Sequence, residues 1–242
     1  IIKMNKDLTF IIPAAGKSSR FETVKTKIFF KYKKKFLIEH VLEKCLFFSK
    51  NIIIVSNSKN LSELKKIIKN YKKGNNIKIL IQKVPRGMGE AINIALQKTK
   101  TKFSATIWAD QIYLNKKTIL KTINFFIKKK SLLTFPVFFR KKPYTVILRD
   151  KSKKFKDILQ TKEINYKINA GESDCGFFVF KTIAVRKLLK KFIKEKVLLT
   201  TKSCEIDFLS SFKFLKNNGK ISTVKAISRN DTIGINSKKD LK

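Results

Sequence analysis

Residues 8–20 have the sequence LTFIIPAAGKSSR, and this stretch decides the fold. Its first five residues are apolar or β-branched with no polar alternation, which predicts a short strand buried on both faces. The run ends in Ala14-Ala15-Gly16, small residues that suit a tight loop. In an open α/β sheet, ligands bind at the loops that follow the carboxyl ends of the strands. We therefore expect a ligand-binding loop directly after this first strand.

Helical and strand-like patterns alternate outward from this strand as far as residue 130. Amphipathic spacing of apolar residues predicts helices, and short β-branched runs predict strands. The alternation predicts an α/β fold with a Rossmann-like, mostly parallel mixed sheet flanked by helices. The predicted helices cover residues 37–48, 61–71, 88–97 and 118–129, and the predicted strands cover residues 8–13, 51–55, 77–82 and 103–109.

The second half of the chain mixes strands and helices, which predicts a smaller subregion forming the second wall of a cleft. We expect residues 132–140 and 144–149 to pair as strands around a Lys-Lys-Pro turn. Residues 174–180 are expected to form one further strand. Predicted helices at 183–194 and 206–215 then lead to a strand at 221–226.

The net charge of +39 suggests a nucleic-acid partner, but its distribution argues otherwise. Only six of the 56 basic residues are Arg, and the lysines are spread over nearly every segment. Recognition of base edges and phosphates normally uses the bidentate fork of Arg. We interpret the charge as a compositional bias with no specific nucleic-acid partner. A basic nucleic-acid-binding protein remains the alternative from another functional class.

Cysteine use and hydropathy indicate the compartment. Cys45, Cys175 and Cys204 are widely spaced, which argues against a disulfide framework or a zinc site and for a reducing environment. No apolar run approaches the ~18 residues that a membrane helix needs, and the N-terminal segment lacks the features of a signal peptide. We expect a cytoplasmic protein with no membrane partner, whose oligomeric state the sequence leaves open.

The loop after the first strand is predicted to bind phosphates. Small residues allow backbone N–H groups, which have partial positive charge, to approach a phosphate closely. Arg20 and Lys27 could then neutralise a triphosphate and the charge that grows on a leaving pyrophosphate. The predicted binding residues of the loop are Ala14, Ala15, Gly16, Lys17, Ser18 and Ser19.

These residues resemble the signature of the sugar-1-phosphate nucleotidyltransferases, in which Leu-Ala-Ala-Gly-x-Gly-Thr-Arg-Met is followed by Pro-Lys. Here the pattern is Pro-Ala-Ala-Gly-x-Ser-Ser-Arg, with Thr26-Lys27 in place of Pro-Lys. Residues 34–40, Lys-Lys-Phe-Leu-Ile-Glu-His, are similar to the family's Gly-Lys-Pro-Leu-Ile-Glu-His. The resemblance runs from about residue 8 to residue 241 and is closest to the N-acetylglucosamine-1-phosphate uridylyltransferase domain.

This resemblance implies one nucleotidyltransferase domain over residues 1–242. Residues 8–130 would form its nucleotide-binding half, and residues 131–242 its sugar-binding and metal-completing half. Its substrates would be a nucleoside triphosphate, with UTP or dTTP favoured, and a sugar-1-phosphate. The products would be a nucleotide sugar and pyrophosphate.

The segment from Gln82 to Ala91 looks like the family's Gln-x-x-x-x-Gly-Thr-Gly-His-Ala. In the family, the Gln side chain and the glycine backbone bind the edge of a pyrimidine ring, and a carboxamide offers the donor and acceptor that uracil or thymine needs. The resemblance assigns nucleotide binding to Gln82, Gly87 and Met88. Met88 replaces the usual Thr, and Glu90 replaces the usual His.

Two further matches imply an Mg²⁺ site. Asp110 ends a predicted strand where the family has Gly-Asp, and Gly234-Ile235-Asn236 is similar to the family's Gly-Val-Asn. Carboxylate and amide oxygens are the hard ligands that Mg²⁺ prefers. The resemblance therefore gives Asp110 and Asn236 the metal, and makes Asp110 catalytic together with Arg20 and Lys27.

The sugar side departs most from the family. Gly-Tyr-Gly-Arg is replaced by Pro143-Tyr144-Thr145-Val146, a sugar-binding Glu by Gln160, and an Asn by Asp174. We expect Tyr144, Gln160 and Asp174 to bind the sugar, whose identity these changes leave open. A cytidylyltransferase or a molybdenum-cofactor nucleotidyltransferase of the same fold remains an alternative.

Overall fold

The computed structural model describes residues 6–16, 26–200 and 202–241. The strands are β1 (Leu8–Pro13), β2 (Lys31–Tyr32), β3 (Lys35–Phe36), β4 (Asn51–Ser56), β5 (Asn76–Ile81), β6 (Phe103–Ile107), β7 (Leu133–Lys141), β8 (Thr145–Arg149), β9 (Phe155–Gln160), β10 (Ala170–Asp174), β11 (Phe177–Lys181) and β12 (Ile221–Lys225). The α-helices are α1 (Leu37–Phe48), α2 (Leu61–Lys69), α3 (Met88–Lys98), α4 (Lys116–Lys128), α5 (Thr182–Lys194) and α6 (Phe212–Asn217). The alternation predicted for the first half of the chain is confirmed.

The main sheet contains eight strands within the described residues, in the order β10-β7-β11-β6-β1-β4-β5, with β12 paired to β7. The central strand β1 is parallel to both β4 and β6, and β4 is parallel to β5. Strand β11 runs antiparallel to β6, and β12 runs parallel to β7. This mixed, mostly parallel sheet confirms the predicted fold class. It also brings the carboxyl ends of β1, β4, β5 and β6 to one edge.

Strand β1 is buried along its whole length because helices cover both faces of the sheet. Successive side chains of a strand point to opposite faces. Phe10 and Ile12 therefore pack in the core beneath α1, α2 and α4, while Ile11 packs beneath α3, α5 and α6. A central strand in such a sheet has no polar face, which is why its sequence is a continuous apolar run.

Helix α1 has the predicted bounds, and part of the motif at residues 34–40 serves to build it. The Glu39 side chain accepts a hydrogen bond of 2.8 Å from the Phe36 N–H, which caps the first turn. His40 Nε2 lies 2.8 Å from the carbonyl oxygen of Tyr32 in the preceding hairpin. The only histidine of the chain is thus a structural residue of this helix.

No helix in the described part of the chain is long and apolar enough to cross a membrane.

The predicted pairing of residues 132–140 with 144–149 is wrong. Strand β7 pairs with β10, β11 and β12, whereas β8 forms a separate two-stranded sheet with β9, a strand that the sequence analysis missed. The connection turns away from β7 at Lys142, which has a positive φ of 48° and donates its N–H to the Asn169 carbonyl at 2.8 Å. The Lys-Lys-Pro segment therefore leads into a second layer rather than a hairpin.

The predicted strand at 174–180 is interrupted. Gly176 has a positive φ of 63°, and its N–H donates to Asp174 Oδ1 at 2.6 Å, so a tight turn separates β10 from β11. The predicted helix at 206–215 begins only at Phe212. Ile206 instead forms an isolated bridge with Leu199. At Gly176, a hydrogen bond to the Asp174 side chain forms the turn that interrupts the strand. At Ile206, a backbone hydrogen bond to the distant Arg86 replaces the helical pattern.

Candidate active site

A cleft of about 1200 Å³ opens at the carboxyl ends of β1, β5 and β6 and is closed on its far side by β8, β9 and β10. The sequence-predicted site residues that the structure describes all line it: Ala14, Ala15, Gly16, Lys27, Gln82, Gly87, Met88, Asp110, Tyr144, Gln160, Asp174 and Asn236. Lys17, Ser18, Ser19 and Arg20 lie outside the described residues. The fold therefore brings together residues as far apart in sequence as Ala14 and Asn236.

An ion pair between Lys27 and Asp110 lies at the floor of the cleft. Lys27 Nζ is 2.7 Å from Asp110 Oδ2, and both side chains are largely buried, with 18% of each exposed. Asp110 follows β6, while Lys27 opens a short 3₁₀ turn that Ile28 and Phe29 anchor in the core. A buried ammonium and carboxylate in contact form a preorganised charged centre, suited to anionic ligands.

Thr26 stands where the sugar-1-phosphate nucleotidyltransferases have a proline before the lysine, and it adopts the same backbone conformation that proline would. Its backbone has φ −57° and ψ 137°, a conformation that proline would fix. The Thr26 hydroxyl donates to Asn60 Oδ1 at 2.7 Å. A side-chain hydrogen bond therefore holds the approach to Lys27 in the extended conformation.

Asn236 reaches the cleft beside Asp110. The Ile235 N–H donates to the Asp110 carbonyl at 3.1 Å, which ties the C-terminal segment to the end of β6. Gly234 packs so tightly there that a Cβ would lie 3.3 Å from Asp110 Oδ1. Asn236 donates its side-chain N–H to the Gly234 carbonyl at 3.3 Å, and no described residue donates to its Oδ1.

The donor set of Asp110 and Asn236 suits Mg²⁺. It offers one carboxylate and one amide oxygen, and the described residues hold no cluster of three or more His, Cys, Asp or Glu side chains. Mg²⁺ is typically held by one or two carboxylates, with water and substrate phosphates completing its coordination. The Asp110 carboxylate and the Asn236 amide oxygen match this mode of Mg²⁺ binding.

The loop after β5 is built around Gln82, which is 3% exposed. Its Nε2 donates to the Gly87 carbonyl at 3.1 Å and to Glu90 Oε2 at 2.7 Å. Gly87 has a positive φ of 102°, and its Cβ, if present, would lie 2.6 Å from the Ile206 carbonyl oxygen. The Ile206 N–H donates to the Arg86 carbonyl at 2.7 Å, so the loop is fastened to a second segment.

The wall formed by β8, β9 and β10 assembles the three residues predicted for the sugar. Gln160 lies opposite Thr145 in the β8–β9 pair, and Tyr144 precedes β8. Asp174 is buried and accepts hydrogen bonds from the Thr145 hydroxyl and the Gly176 N–H. Burial raises the pKa of Asp174, and these hydrogen bonds oppose that rise only in part.

Several cationic groups of the cleft were missed by the sequence analysis. Arg140, Lys142 and Lys167 line the same wall as the predicted sugar residues. Arg140 donates to the Thr232 carbonyl at 3.0 Å, and its burial and the nearby Arg229 lower its pKa. Since the chain uses Arg so rarely, an Arg at the end of a predicted strand was the signal that could have indicated this residue.

The fold matches those of solved nucleotidyltransferase structures. One, described as a glucose-1-phosphate thymidylyltransferase from Bacillus anthracis in complex with a sucrose, superposes with a TM-score of 0.74 at 15% identity, covering 90% of this chain and 86% of that chain. Another, a 4-diphosphocytidyl-2C-methyl-D-erythritol synthase from Anaerococcus prevotii, gives a TM-score of 0.67 at 16% identity over 97% and 94% of the two chains. At such low identity, the likeness shows the nucleotidyltransferase fold alone.

Residues 10–167 match the family model of the MobA-like NTP transferase domain, and the chain belongs to this family. Among curated proteins, the Bifunctional protein GlmU of Buchnera aphidicola subsp. Schizaphis graminum is 28% identical over 98% of this chain and 50% of its own length. That of Thermodesulfovibrio yellowstonii is 26% identical over 96% and 50%. The chain spans about half the length of these relatives, and the matches confirm the resemblance to the sugar-1-phosphate nucleotidyltransferases.

Proposed function

We propose that the chain transfers the nucleotidyl group of UTP or dTTP to a sugar-1-phosphate and releases pyrophosphate, with Mg²⁺ as cofactor. The observation that supports this most is the arrangement of the cleft. The Lys27–Asp110 pair lies at the end of β6, between the loop at Gln82 after β5 and the polar wall at Gln160 and Asp174. A triphosphate and a sugar phosphate could occupy the two sides with their reacting groups at the ion pair.

The reaction requires little proton transfer. An oxygen of the sugar phosphate, already anionic at neutral pH, attacks the α-phosphorus, a new P–O bond forms, and the bond to the β-phosphate oxygen breaks. Catalysis then rests on positioning and on neutralising charge. Lys27 would stabilise the leaving pyrophosphate, together with Arg20 and the N–H groups of the loop at residues 14–19. Mg²⁺, held by Asp110 and Asn236 when bound, would supply further charge neutralisation at the phosphates.

The two sides of the cleft divide the substrates between them. Gln82, Gly87 and Met88 would contact the base, whereas Tyr144, Gln160 and Asp174 would contact the sugar. Arg140 and Lys142, on the sugar wall, are candidates for the phosphate of the second substrate. We accordingly propose residues 8–130 as the nucleotide-binding half and residues 131–242 as the sugar-binding and metal-completing half of one domain. A cytoplasmic location would place the enzyme with these substrates.

The test is pyrophosphate release from purified protein, with Mg²⁺ and a matrix of four nucleoside triphosphates against several sugar-1-phosphates. We expect release with UTP or dTTP and one sugar phosphate, and loss of release when Mg²⁺ is withheld. Asp110→Ala should abolish turnover while the protein stays folded by circular dichroism. Asp157→Ala removes a half-buried carboxylate outside the cleft and serves as the matched control.

Activity that survives Asp110→Ala at saturating Mg²⁺ would remove Asp110 from the mechanism. Release with CTP and a sugar alcohol phosphate instead would favour the cytidylyltransferase alternative. Release with no pair would reject the proposal. Binding of an oligonucleotide that UTP with Mg²⁺ displaces from the cleft would then favour the nucleic-acid alternative.

A further inference from the structure

The side-chain amide of Gln82 has both of its N–H groups occupied by the protein. One N–H meets the Gly87 carbonyl at 3.1 Å, and the other meets Glu90 Oε2 at 2.7 Å. An amide NH₂ has two hydrogens and therefore no further donor to offer. The remaining hydrogen-bonding group of Gln82 is its carbonyl oxygen, Oε1.

The orientation of this amide is fixed by the chemistry of its partners. A backbone carbonyl and a carboxylate accept hydrogen bonds and cannot donate them. If the Gln82 amide were rotated by 180°, its oxygen would face two acceptors, and two buried hydrogen bonds would become repulsive contacts. Leaving such groups unsatisfied costs roughly 1–3 kcal/mol each. One orientation of Gln82 is therefore strongly preferred.

Glu90 is itself held in place. It lies in the first turn of α3, is 8% exposed, and its second oxygen, Oε1, is 2.6 Å from Arg86 Nη2. The arginine occupies one carboxylate oxygen and leaves the other for Gln82. Arg86, Glu90 and Gln82 thus form a connected chain from the mouth of the cleft to its interior.

The free acceptor of Gln82 is open to the cleft. Gln82 lines the cleft, and no described residue donates to its Oε1. The contrast is Gln111, whose Oε1 is sealed from solvent without a partner. Next to Gln82, α3 begins at Met88, and the first N–H groups of a helix have no acceptor within the helix. The Gly89 N–H is taken by the Ile206 carbonyl, whereas no described residue accepts from the Met88 N–H. A ligand edge that enters here meets the Gln82 acceptor beside the Met88 donor.

An acceptor beside a donor favours uracil and thymine over cytosine. Uracil and thymine present a ring N–H flanked by carbonyl oxygens, so the ring N–H can donate to Gln82 Oε1 while O4 accepts from the helix end. Cytosine has an unprotonated ring nitrogen in the central position and an amino group in place of O4. Both contacts would then be reversed, acceptor against acceptor and donor against donor.

We propose that Glu90 is a positioning residue that selects uracil and thymine over cytosine by holding Gln82 with its oxygen toward the cleft. The proposal rests on the function proposed above and extends it to the choice of base. Glu90 does not line the cleft, whereas Gln82 does, so Glu90 acts through Gln82.

The test measures direct binding of UTP, dTTP and CTP in the presence of Mg²⁺, without a sugar phosphate, by titration calorimetry. We expect the native protein to bind UTP and dTTP at least ~10-fold more tightly than CTP, the effect of about one reversed hydrogen bond. In Glu90→Gln, the amide at position 90 can face Gln82 as donor or acceptor, and only the Gly87 carbonyl still favours the native orientation, so the preference should fall by up to about the same factor. Glu63→Gln makes the same chemical change on α2, outside the cleft, and should keep the native preference.

Equal affinity of the native protein for UTP and CTP, or an undiminished preference in folded Glu90→Gln, would overturn the proposal. If Glu90→Gln does not fold, N3-methyl-UTP tests the native protein, since the methyl group replaces the ring N–H. A loss of about tenfold relative to UTP supports the proposal, and binding as tight as that of UTP overturns it. Selective UTP binding without pyrophosphate release would support the role of Glu90 and reject the proposed reaction. The binding assay and the release assay therefore test the two proposals separately.

Discussion

At the scale of single residues, two ion pairs have the same N–O distance but differ in how far they are buried. Lys27–Asp110 and Lys35–Glu43 both have an N–O distance of 2.7 Å. The second pair is much more exposed, at 48% and 35% of its side chains, and such surface pairs contribute about 0–1 kcal/mol because water and salt screen them. The first pair lies in the cleft, where water screens a charge less and an anionic substrate would meet it directly.

Lys27→Ala is therefore expected to reduce kcat by ~10²-fold or more, by analogy with the loss of one preorganised charge-stabilising contact. The measurement is steady-state pyrophosphate release. Lys35→Ala removes a lysine from an ion pair of the same length outside the cleft and should leave kcat unchanged. Equal rates for Lys27→Ala and the native protein would show that the ammonium group takes no part in the chemistry.

The buried carboxyl of Asp174 gives a pH-dependent prediction. Burial raises the pKa of Asp174 in the folded protein above its unfolded value. Its contribution to stability is thus full at pH values below the unfolded pKa and is lost as the pH rises through the folded pKa. Above the folded pKa, the ionised and buried carboxylate lowers the free energy of unfolding. Asp174→Asn removes the ionisable group and with it this loss of stability, and the Thr145 hydroxyl can rotate to accept from the new amide.

We expect Asp174→Asn to raise Tm by about 2–4 °C at pH 8, the shift that roughly 1 kcal/mol produces in a chain of this size. The gain should shrink as the pH falls toward 4, because the native carboxyl is then increasingly protonated. Thermal unfolding across this pH range is the measurement, with Asp150→Asn in an exposed turn as the control. A gain that does not depend on pH would contradict the explanation.

At the scale of elements, the loop between β5 and α3 depends on a contact between two segments far apart in sequence. The Gly89 N–H donates to the Ile206 carbonyl at 2.9 Å, and the Ile206 N–H donates to the Arg86 carbonyl at 2.7 Å. Gly87, at a φ of 102°, lets the two backbones approach this closely. The segment around Ile206 therefore fixes the position from which α3 begins.

Gly87→Ala should weaken UTP binding about tenfold or more, because a Cβ there would lie 2.6 Å from the Ile206 carbonyl oxygen and would push the loop out of place. The strained backbone should also lower the free energy of unfolding by about 1–3 kcal/mol. Gly74→Ala is the matched control, since Gly74 also has a positive φ, of 72°, but nothing lies within 4 Å of its Cβ position. Native affinity for UTP in Gly87→Ala would show that the loop does not contact the nucleotide.

At the scale of the whole molecule, the charge of +39 produces a field without defining a site. Lysines distributed along the chain attract polyanions in general, and such binding falls steeply with salt because counterions are released. The predicted site residues that the structure describes, by contrast, all line one cleft.

We therefore expect a fluorescent oligonucleotide to bind at 50 mM salt and to lose most of its affinity by about 200 mM. UTP with Mg²⁺ should not displace it at either salt concentration. Fluorescence anisotropy measures both effects. Oligonucleotide binding that resists salt and is displaced stoichiometrically by UTP would instead place nucleic acid in the cleft.

Local patterns predicted the elements of the first half well. The bounds of β1 and α1 match the sequence analysis because an apolar run and an amphipathic stripe each specify one element without reference to the rest of the chain. Pairing in the second half was not predictable in the same way. Strand β8 pairs with the unforeseen β9, and Ile206 pairs with Leu199, because the partner of a strand is chosen by the packing of the whole domain.

The sequence by itself determined the class of fold and the residues gathered at one edge of the sheet, since strand and helix periods and the motifs after the strands are local. Only the tertiary structure decided how those residues act on one another. The proline-like conformation of Thr26, the Lys27–Asp110 contact and the orientation of Gln82 toward Glu90 each depend on hydrogen bonds or charges brought together by packing. Such contacts join segments distant along the chain, so no spacing in the sequence specifies their geometry.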